Sequence, residues 1–227
     1  MVDSMVGMSF DPVVEYSRPE AERAGTHLVL MLHGYGSNER DLMSMVPSLP
    51  TEGFTYAAMR APQPCGLGFQ WFPLGGTPGE RIEVDEQGLR EAAQGLVAWI
   101  EHHRSLYAGV ILLGFSQGMA VASSAVRHRP GIARALVGLS GFVPPLPQDF
   151  AQDSTLAQAS PRLPVFYGRD QQDPVIPEPM VAETLDWLRK HAEVTKVLYA
   201  GMGHGVCPQE IGHVGEFLRH VAREAQA

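Results

Sequence analysis

The most informative stretch of the chain reads Val110-Ile111-Leu112-Leu113-Gly114-Phe115-Ser116-Gln117-Gly118, and Met119-Ala120-Val121-Ala122 follows it. An unbroken apolar run is typical of a buried parallel strand, and the small residues after Gly118 are compatible with a helix. Glycines on both sides of a serine let a strand and a helix close around a strained turn, which pushes the hydroxyl outward. The stretch therefore predicts a strand, a sharp turn and a helix, with Ser116 as a candidate nucleophile.

A serine nucleophile needs a base, and the base needs an orienting acid. Downstream, a predicted strand over 165–167 leads into a loop that contains Asp170 and Asp173, either of which could be the acid. After another predicted strand, His204 stands in a turn between glycines and is the candidate base. The order Ser, Asp, His, each on a loop after a strand, is the one expected of an α/β-hydrolase.

The loop His33-Gly34-Tyr35-Gly36 follows an earlier predicted strand and is expected to complete an oxyanion hole. In this fold one donor is the amide after the nucleophile, here that of Gln117, and the other comes from such a loop, here from Tyr35. A dinucleotide-binding fingerprint is excluded because Glu39 stands where its third glycine should be. We expect His33 to order the loop through a hydrogen bond rather than to act as a second base.

Strand and helix patterns alternate along the chain and predict an α/β fold with a mostly parallel central sheet and helices on both faces. Strands are predicted over 13–16, 27–32, 55–59, 110–113, 135–139, 165–167 and 194–199. Helices are predicted over 39–46, 86–104, 117–128, 178–191 and 208–225. We expect one domain, 1–227, in which 62–81 and 142–162 are the two long loops, so that no large lid domain covers the site.

Apolar side chains in those two loops suggest a substrate groove. The candidates are Phe69, Trp71, Phe72 and Leu74 in the first loop, Phe142 and Val143 in the second, and Val175 near the candidate acid. The alternative is that these residues only anchor their loops to the core. On the groove interpretation, we expect a small, open site for short and medium acyl chains.

Composition limits the remaining function classes. The chain has 227 residues, 44% of them hydrophobic, and a formal charge of −8, which disfavours nucleic acid and anionic membranes as partners. No signal peptide or long apolar run is apparent, so we expect a cytoplasmic protein without stable membrane association. Cys65 and Cys207 fit free thiols in a reducing compartment, and neither has metal-ligand spacing. We expect no metal and no cofactor, and a homodimer is left open.

Several motifs together resemble the phospholipase/carboxylesterase family of α/β-hydrolases, which includes bacterial carboxylesterases and acyl-protein thioesterases. They occur in the family's order along nearly the whole chain: Leu32-His33-Gly34-Tyr35-Gly36, Arg60-Ala61-Pro62 with Trp71-Phe72, Gly114-Phe115-Ser116-Gln117-Gly118, Leu139-Ser140-Gly141-Phe142, residues 168–177, and Gly203-His204. The resemblance implies a serine esterase with a triad of Ser116, Asp173 and His204, in which Asp173 is preferred because it directly precedes Pro174-Val175-Ile176-Pro177.

The chain differs from the acyl-protein thioesterases at two positions. Those proteins typically have leucine in place of Tyr35, and aspartate in place of Pro73. We therefore expect a serine hydrolase that cleaves carboxylic esters, a small-molecule substrate, through an acyl-enzyme. An acyl-thioesterase or a lysophospholipase would share this machinery, and a non-catalytic ligand-binding α/β-hydrolase is the alternative from another class.

Overall fold

A seven-stranded sheet forms the centre of the computed structural model, which describes residues 11–145 and 152–224. In chain order the strands are Val14–Tyr16 (β1), His27–Leu32 (β2), Phe54–Met59 (β3), Gln63–Cys65 (β4), Gly68–Gln70 (β5), Leu74–Thr77 (β6), Arg81–Val84 (β7), Gly109–Phe115 (β8), Ala135–Leu139 (β9), Leu163–Asp170 (β10) and Ala192–Tyr199 (β11). The helices are Glu39–Met43 (α1), Glu86–His103 (α2), Gln117–His128 (α3), Asp153–Gln158 (α4), Glu178–His191 (α5) and Pro208–Glu224 (α6).

The strand order across the sheet is β1-β3-β2-β8-β9-β10-β11. Only β1 runs antiparallel to its neighbour, and the other neighbouring strands of this sheet are parallel. The carboxyl ends of β2, β8, β10 and β11 therefore meet at one edge, where ligands of open α/β sheets bind. The predicted α/β-hydrolase architecture is confirmed, and each of the seven predicted strands belongs to this sheet.

Helices cover both faces of the sheet because each central strand presents apolar side chains on both sides. In β2, Leu28, Leu30 and Leu32 belong to the core cluster that includes residues of α2, α3 and α5. Val29 and Met31 point the other way, into a second cluster with residues of α1 and α6. A strand buried on both faces has no polar alternation, which is why the parallel strands read as continuous apolar runs.

The two predicted long loops contain regular structure, which corrects the sequence interpretation. Residues 62–81 hold β4 and β5, which form one hairpin, and β6, which pairs with β7 in a second. The described part of 142–162 holds α4, while 146–151 lie outside the described residues, as does Ala225 of the last predicted helix. No helix among the described residues is both long enough and apolar enough to cross a bilayer.

Arg127 at the end of α3 anchors this second segment. Its guanidinium donates to both carboxylate oxygens of Asp153 on α4, at 2.9 Å each, and to the carbonyl of Pro144 at 2.7 Å. Only 4% of Arg127 is exposed, so these hydrogen bonds form in a largely dry setting, where a charged donor needs partners. The chain on either side of residues 146–151 is thus attached to the same helix.

Candidate active site

Ser116 lies in the sharp turn between β8 and α3, with φ 51° and ψ −117°. This positive φ is rare for a residue with a side chain. The flanking glycines make the turn possible: a Cβ on Gly114 would collide with the backbone of Gly118 and Met119, and one on Gly118 would collide with the Leu32 carbonyl. The strand, turn and helix predicted for this stretch are confirmed, and the close approach of backbone to backbone explains both glycines.

The three residues that the sequence proposed as a triad lie in contact. Oγ of Ser116 is 2.9 Å from Nε2 of His204. On the other side of the imidazole, Nδ1 is 2.9 Å from Oδ2 and 3.1 Å from Oδ1 of Asp173. An ionised carboxylate only accepts hydrogen bonds, so Nδ1 carries the proton and Nε2 is free to accept the serine hydroxyl. This is the tautomer that a general base needs.

Asp173 is held as an ionised acceptor. Its side chain is fully buried, and Oδ1 also accepts the amides of Val175 at 2.8 Å and Ile176 at 3.1 Å. Burial raises the pKa of Asp173, but the hydrogen bond to His204 and those backbone amides outweigh it, so the net pKa lies below the ordinary value. The carboxylate is therefore charged at neutral pH.

Asp170, the other acid that the sequence left open, ends β10 and has a different set of partners. Its carboxylate accepts the amide of Gln172 at 2.7 Å and that of Gly203 at 2.7 Å, and it also accepts the amide of Met202. Hydrogen bonds from these backbone amides lower the pKa of Asp170. Asp170 thus binds the backbone immediately before His204, whereas Asp173 binds the imidazole itself.

The loop after β2 lies against Ser116. A Cβ on Gly34 would be 3.4 Å from Cβ of Ser116 and 2.9 Å from the Phe115 ring, so only glycine lets the loop approach this closely. Among the described residues, neither the Tyr35 amide nor the Gln117 amide has an acceptor. The two candidate oxyanion donors are therefore available for a ligand at the serine.

His33 orders this loop, as expected from the sequence. The buried ring donates from Nδ1 to the Gly34 carbonyl at 2.8 Å and accepts the Ala61 amide at Nε2 at 3.0 Å. Burial lowers the pKa of His33, although the Gly34 carbonyl opposes that shift. With both nitrogens occupied and the ring neutral, His33 has no free group with which to act as a second base.

The side chain of Gln117 connects the nucleophile turn to the first long segment. Its Oε1 accepts the Trp71 amide at 3.0 Å, and its Nε2 donates to the Phe72 carbonyl at 2.7 Å. The indole of Trp71 in turn donates to the His33 carbonyl at 2.9 Å. Three chain segments around the serine are thus joined by hydrogen bonds between buried groups, which fixes the position of both candidate oxyanion amides.

The predicted substrate groove is wrong for four of its residues. Trp71, Phe72, Phe142 and Val143 are at most 3% exposed and belong to the main core cluster, so they offer no surface to a ligand. The alternative from the sequence, that they anchor their loops, describes them correctly. Phe69, Leu74 and Val175 are partly buried against the same cluster and keep some exposed surface.

Ser140 also follows a predicted strand but lacks the second flanking glycine of Ser116, so the sequence predicts no catalytic role for it, and the structure places it under the His204 loop. It has φ 44°, and Ser116 and Ser140 are the described non-glycine residues with positive φ. Its Oγ donates to the Gly205 carbonyl at 2.9 Å, and its backbone amide donates to the Gly168 carbonyl at 2.9 Å. The available signal was a Ser-Gly pair directly after a predicted strand.

No group of three or more His, Cys, Asp or Glu side chains in the described ranges is arranged to hold a metal ion. Cys65 and Cys207, both partly buried, are free thiols. The site consists of Ser116, His204 and Asp173, the backbone amides of two neighbouring loops, and the hydrogen-bonded segments that hold them in place.

Comparison with known proteins identifies the family of the chain. The phospholipase/carboxylesterase family model matches residues 15–222, so the chain belongs to that family of α/β-hydrolases. A Kluyveromyces lactis protein named acyl-protein thioesterase 1 is 25% identical over 154 residues, covering 65% of this chain and 67% of that protein. One of the same name from Gibberella zeae is 32% identical over 113 residues, covering 48% of this chain and 47% of that protein. The matched part of the chain thus spans about half to two thirds of the length of these curated relatives.

Solved structures share the fold over nearly the whole chain. The structure of esterase PE8 has a TM-score of 0.73 at 26% identity and covers 92% of this chain and 99% of its own. Zea mays acyl-protein thioesterase 2 has a TM-score of 0.72 at 21% identity, covering 92% of this chain and 98% of its own. A carboxylesterase from Bacillus cereus reaches 0.75 at 17% identity, with 93% and 95% covered.

Proposed function

We propose that this protein is a serine carboxylesterase that hydrolyses esters of short to medium acyl chains through an acyl-enzyme. The observation that carries the proposal is the pair of hydrogen bonds that the His204 imidazole makes. Its Nε2 lies 2.9 Å from Oγ of Ser116, and its Nδ1 lies 2.9 Å from Oδ2 of the buried Asp173 carboxylate. Family membership supports the same reaction class.

In the acylation step, Oγ of Ser116 bonds to the carbonyl carbon of the ester while Nε2 of His204 takes the hydroxyl proton. The carbonyl oxygen becomes negative, and the amides of Tyr35 and Gln117 donate to it. The bond to the alcohol then breaks, and Nε2 returns its proton to the departing oxygen. Asp173 keeps the imidazole in the required tautomer and stabilises it while it is charged.

Deacylation repeats the sequence with water. His204 takes a proton from the water molecule as its oxygen attacks the acyl carbon, and the same amides bind the oxyanion. Ser116 then departs and recovers a proton from Nε2, which releases the carboxylic acid. The products are one acid and one alcohol, and no other reactant is required.

The arrangement of apolar side chains supports short and medium acyl chains. Trp71, Phe72 and Phe142 fill the core, so they do not wall a deep acyl tunnel. The partly exposed Phe69, Leu74 and Val175 remain as candidate acyl contacts. The names of the curated relatives favour an acyl-thioesterase as the second candidate, since a thioester would use the same nucleophile and base.

Labelling with a fluorophosphonate probe tests the proposal. We expect one adduct, located on Ser116 by peptide mass spectrometry, and hydrolysis of p-nitrophenyl butyrate that the probe abolishes. A protein that binds esters but is neither labelled nor active would be a ligand-binding member of the fold. Comparing kcat/KM for an ester, a thioester of the same acyl group and a lysophospholipid then decides the preferred bond, and a thioester preference would replace the ester assignment.

A further inference from the structure

A groove beside the His204 loop is lined by residues that the proposed mechanism does not use. Its volume is about 350 Å³, within the range of small-molecule sites. The apolar lining residues come from α1 and the turn after it, the end of β8, the His204 loop and α6: Leu42, Met45, Phe115, Val206 and Ile211. Ser48 and Asp41 contribute polar groups to the same groove.

The groove adjoins the candidate active site through two sequence neighbours of the triad and one ring contact. Phe115 directly precedes Ser116, and Gly205, which also lines the groove, directly follows His204. The ring centroids of Phe115 and His204 are 5.2 Å apart, so a residue of the groove wall lies next to the imidazole.

The chemistry of the first step indicates which part of the substrate lies there. Nε2 of His204 has to deliver its proton to the oxygen of the departing alcohol, so that oxygen lies within hydrogen-bond distance of the imidazole. The carbonyl oxygen meanwhile lies at the amides of Tyr35 and Gln117. The alcohol portion therefore lies beside the His204 imidazole, whose ring contacts Phe115.

The candidate acyl contacts are on the other face of the sheet. Phe69, Leu74 and Val175 pack against the core cluster formed with α2, α3 and α5. Leu42 and Met45 of the groove belong to the cluster on the α1 and α6 side, and Phe115, Val206 and Ile211 pack against it. Acyl and alcohol groups extend in different directions from the tetrahedral carbon, which matches two apolar surfaces on opposite sides of Ser116.

We propose that this groove is the alcohol-binding subsite and that it selects esters whose alcohol carries an apolar chain. The inference rests on the proposed function, because it requires the serine mechanism. It assigns a specificity role to Met45, Ile211 and their neighbours, none of which touches the reacting atoms. Asp41 at the groove disfavours an alcohol with a negatively charged end.

An alcohol series with a constant acyl group measures the subsite. For methyl to hexyl butyrates the acyl-enzyme is the same, so kcat/KM reports binding and acylation alone. Burial of apolar surface in the groove predicts a rise of up to about fourfold for each added methylene until the groove is full. A parallel series from acetate to octanoate with ethanol as the alcohol reports the acyl side.

Two groove variants and one control locate the effect. Ile211→Gln makes the groove wall polar, and Ser48→Trp fills space from an exposed position. Leu198→Gln makes the same kind of change at a 44% exposed residue of β11, outside the groove. We expect both groove variants to flatten the dependence on alcohol length, with the acyl series and probe labelling of Ser116 unchanged, and the control to behave as the parent.

The outcomes separate this proposal from the function on which it rests. Hydrolysis of every butyrate at the same kcat/KM, or groove variants that keep the parent's alcohol dependence, would overturn the subsite while the esterase stands. Variants that alter the acyl series instead would place the acyl chain in the groove and also overturn it. An unlabelled Ser116 with no hydrolysis of any ester would refute the esterase, and the subsite with it.

Discussion

Two serines share a positive φ but have different surroundings. Ser116 presents its hydroxyl to His204 at 2.9 Å, whereas Ser140 donates its own to the Gly205 carbonyl at 2.9 Å. Ser116 is thus placed to react, and Ser140 fixes the backbone next to the base. Backbone strain at both positions is maintained by the surrounding sheet and loops, as is common near functional sites.

Replacing each serine separates these roles. We expect Ser116→Ala and His204→Ala each to lower kcat/KM by about 10⁴-fold or more, and the double variant to be little worse, because the triad acts as a unit. Ser140→Ala loses one loop hydrogen bond and should cost about tenfold or less. Steady-state kinetics with p-nitrophenyl butyrate checks the order, and an active Ser116→Ala beside an inactive Ser140→Ala would reverse the assignment.

The two aspartates of the loop after β10 make a second residue-scale comparison. Asp173→Asn removes the carboxylate that sets the His204 tautomer, so we expect a loss in kcat of about 10⁴-fold. Asp170→Asn leaves that contact in place and weakens the hold on Met202 and Gly203, so its loss should be well below that of Asp173→Asn. Urea denaturation should give a lower midpoint for Asp170→Asn than for the parent protein. Equal losses of kcat in Asp170→Asn and Asp173→Asn would contradict the division of roles.

Sequence could identify Ser116 and His204 because each stands between glycines after an apolar strand. It could not by itself choose between Asp170 and Asp173, which are three residues apart on one loop. The choice depends on the loop conformation, in which Oδ1 of Asp173 accepts the amides of Val175 and Ile176. Nor could the pattern show that Trp71 and Phe142 are buried, since burial depends on contacts distant in sequence.

At the scale of elements, the junction of β2, β8 and α3 sets the position of Ser116, the candidate nucleophile. Gly118 is the second residue of α3 and lies where the helix touches the Leu32 carbonyl, a backbone group that cannot rotate away. The distance between strand and helix at this junction is therefore set by the absence of a side chain. Gly212 on α6 makes a useful contrast, because a Cβ there would meet nothing within 4 Å.

Matched alanine variants test the junction. We expect Gly118→Ala to lower the free energy of unfolding by about 1–3 kcal/mol through overpacking, and to lower activity by displacing Ser116. Gly212→Ala should raise the free energy of unfolding by up to about 1 kcal/mol, since alanine favours a helix. Urea denaturation measures both, and a Gly118→Ala protein as stable as the parent would show that the junction can relax.

The seven sheet strands were predictable as elements, but the hairpins β4–β5 and β6–β7 were not. They are short and rich in glycine and proline, so their sequences carry turn signals without a strand period. What stabilises the first hairpin is tertiary: Phe69 donates to the Ser37 carbonyl and accepts the Gly36 amide. Residues distant in the sequence thus determine its structure.

At the scale of the whole molecule, the burial of Glu210 predicts that stability depends on pH. It is fully buried in the first turn of α6, and neither carboxylate oxygen has a hydrogen-bond partner among the described residues. A Cβ on Gly168 would collide with it, so β10 leaves space for this group. Burial raises the pKa of Glu210 from 4.5 to about 7, and the nearby Cys207 backbone opposes this shift without forming a hydrogen bond of normal geometry.

The direction of the pH effect follows from proton counting. Below pH 4.5 Glu210 is protonated in both states, and between pH 4.5 and about 7 only the unfolded chain releases the proton, which favours unfolding. The parent should therefore lose about 3 kcal/mol of stability across this window relative to Glu210→Gln. Urea titrations of both proteins at several pH values check this, and parallel curves would show that Glu210 ionises normally in the fold.

The two ends of the Gln117 side chain limit how this enzyme could be redesigned. Its Oε1 accepts the Trp71 amide and its Nε2 donates to the Phe72 carbonyl. The position therefore needs a side chain of this length that carries both a donor and an acceptor at its tip. Glutamate lacks the donor, asparagine is too short, and leucine offers neither. We therefore expect residue 117 to tolerate little change, whereas the Tyr35 side chain is 48% exposed beside the other candidate oxyanion amide, so we expect substitutions there to leave the scaffold intact.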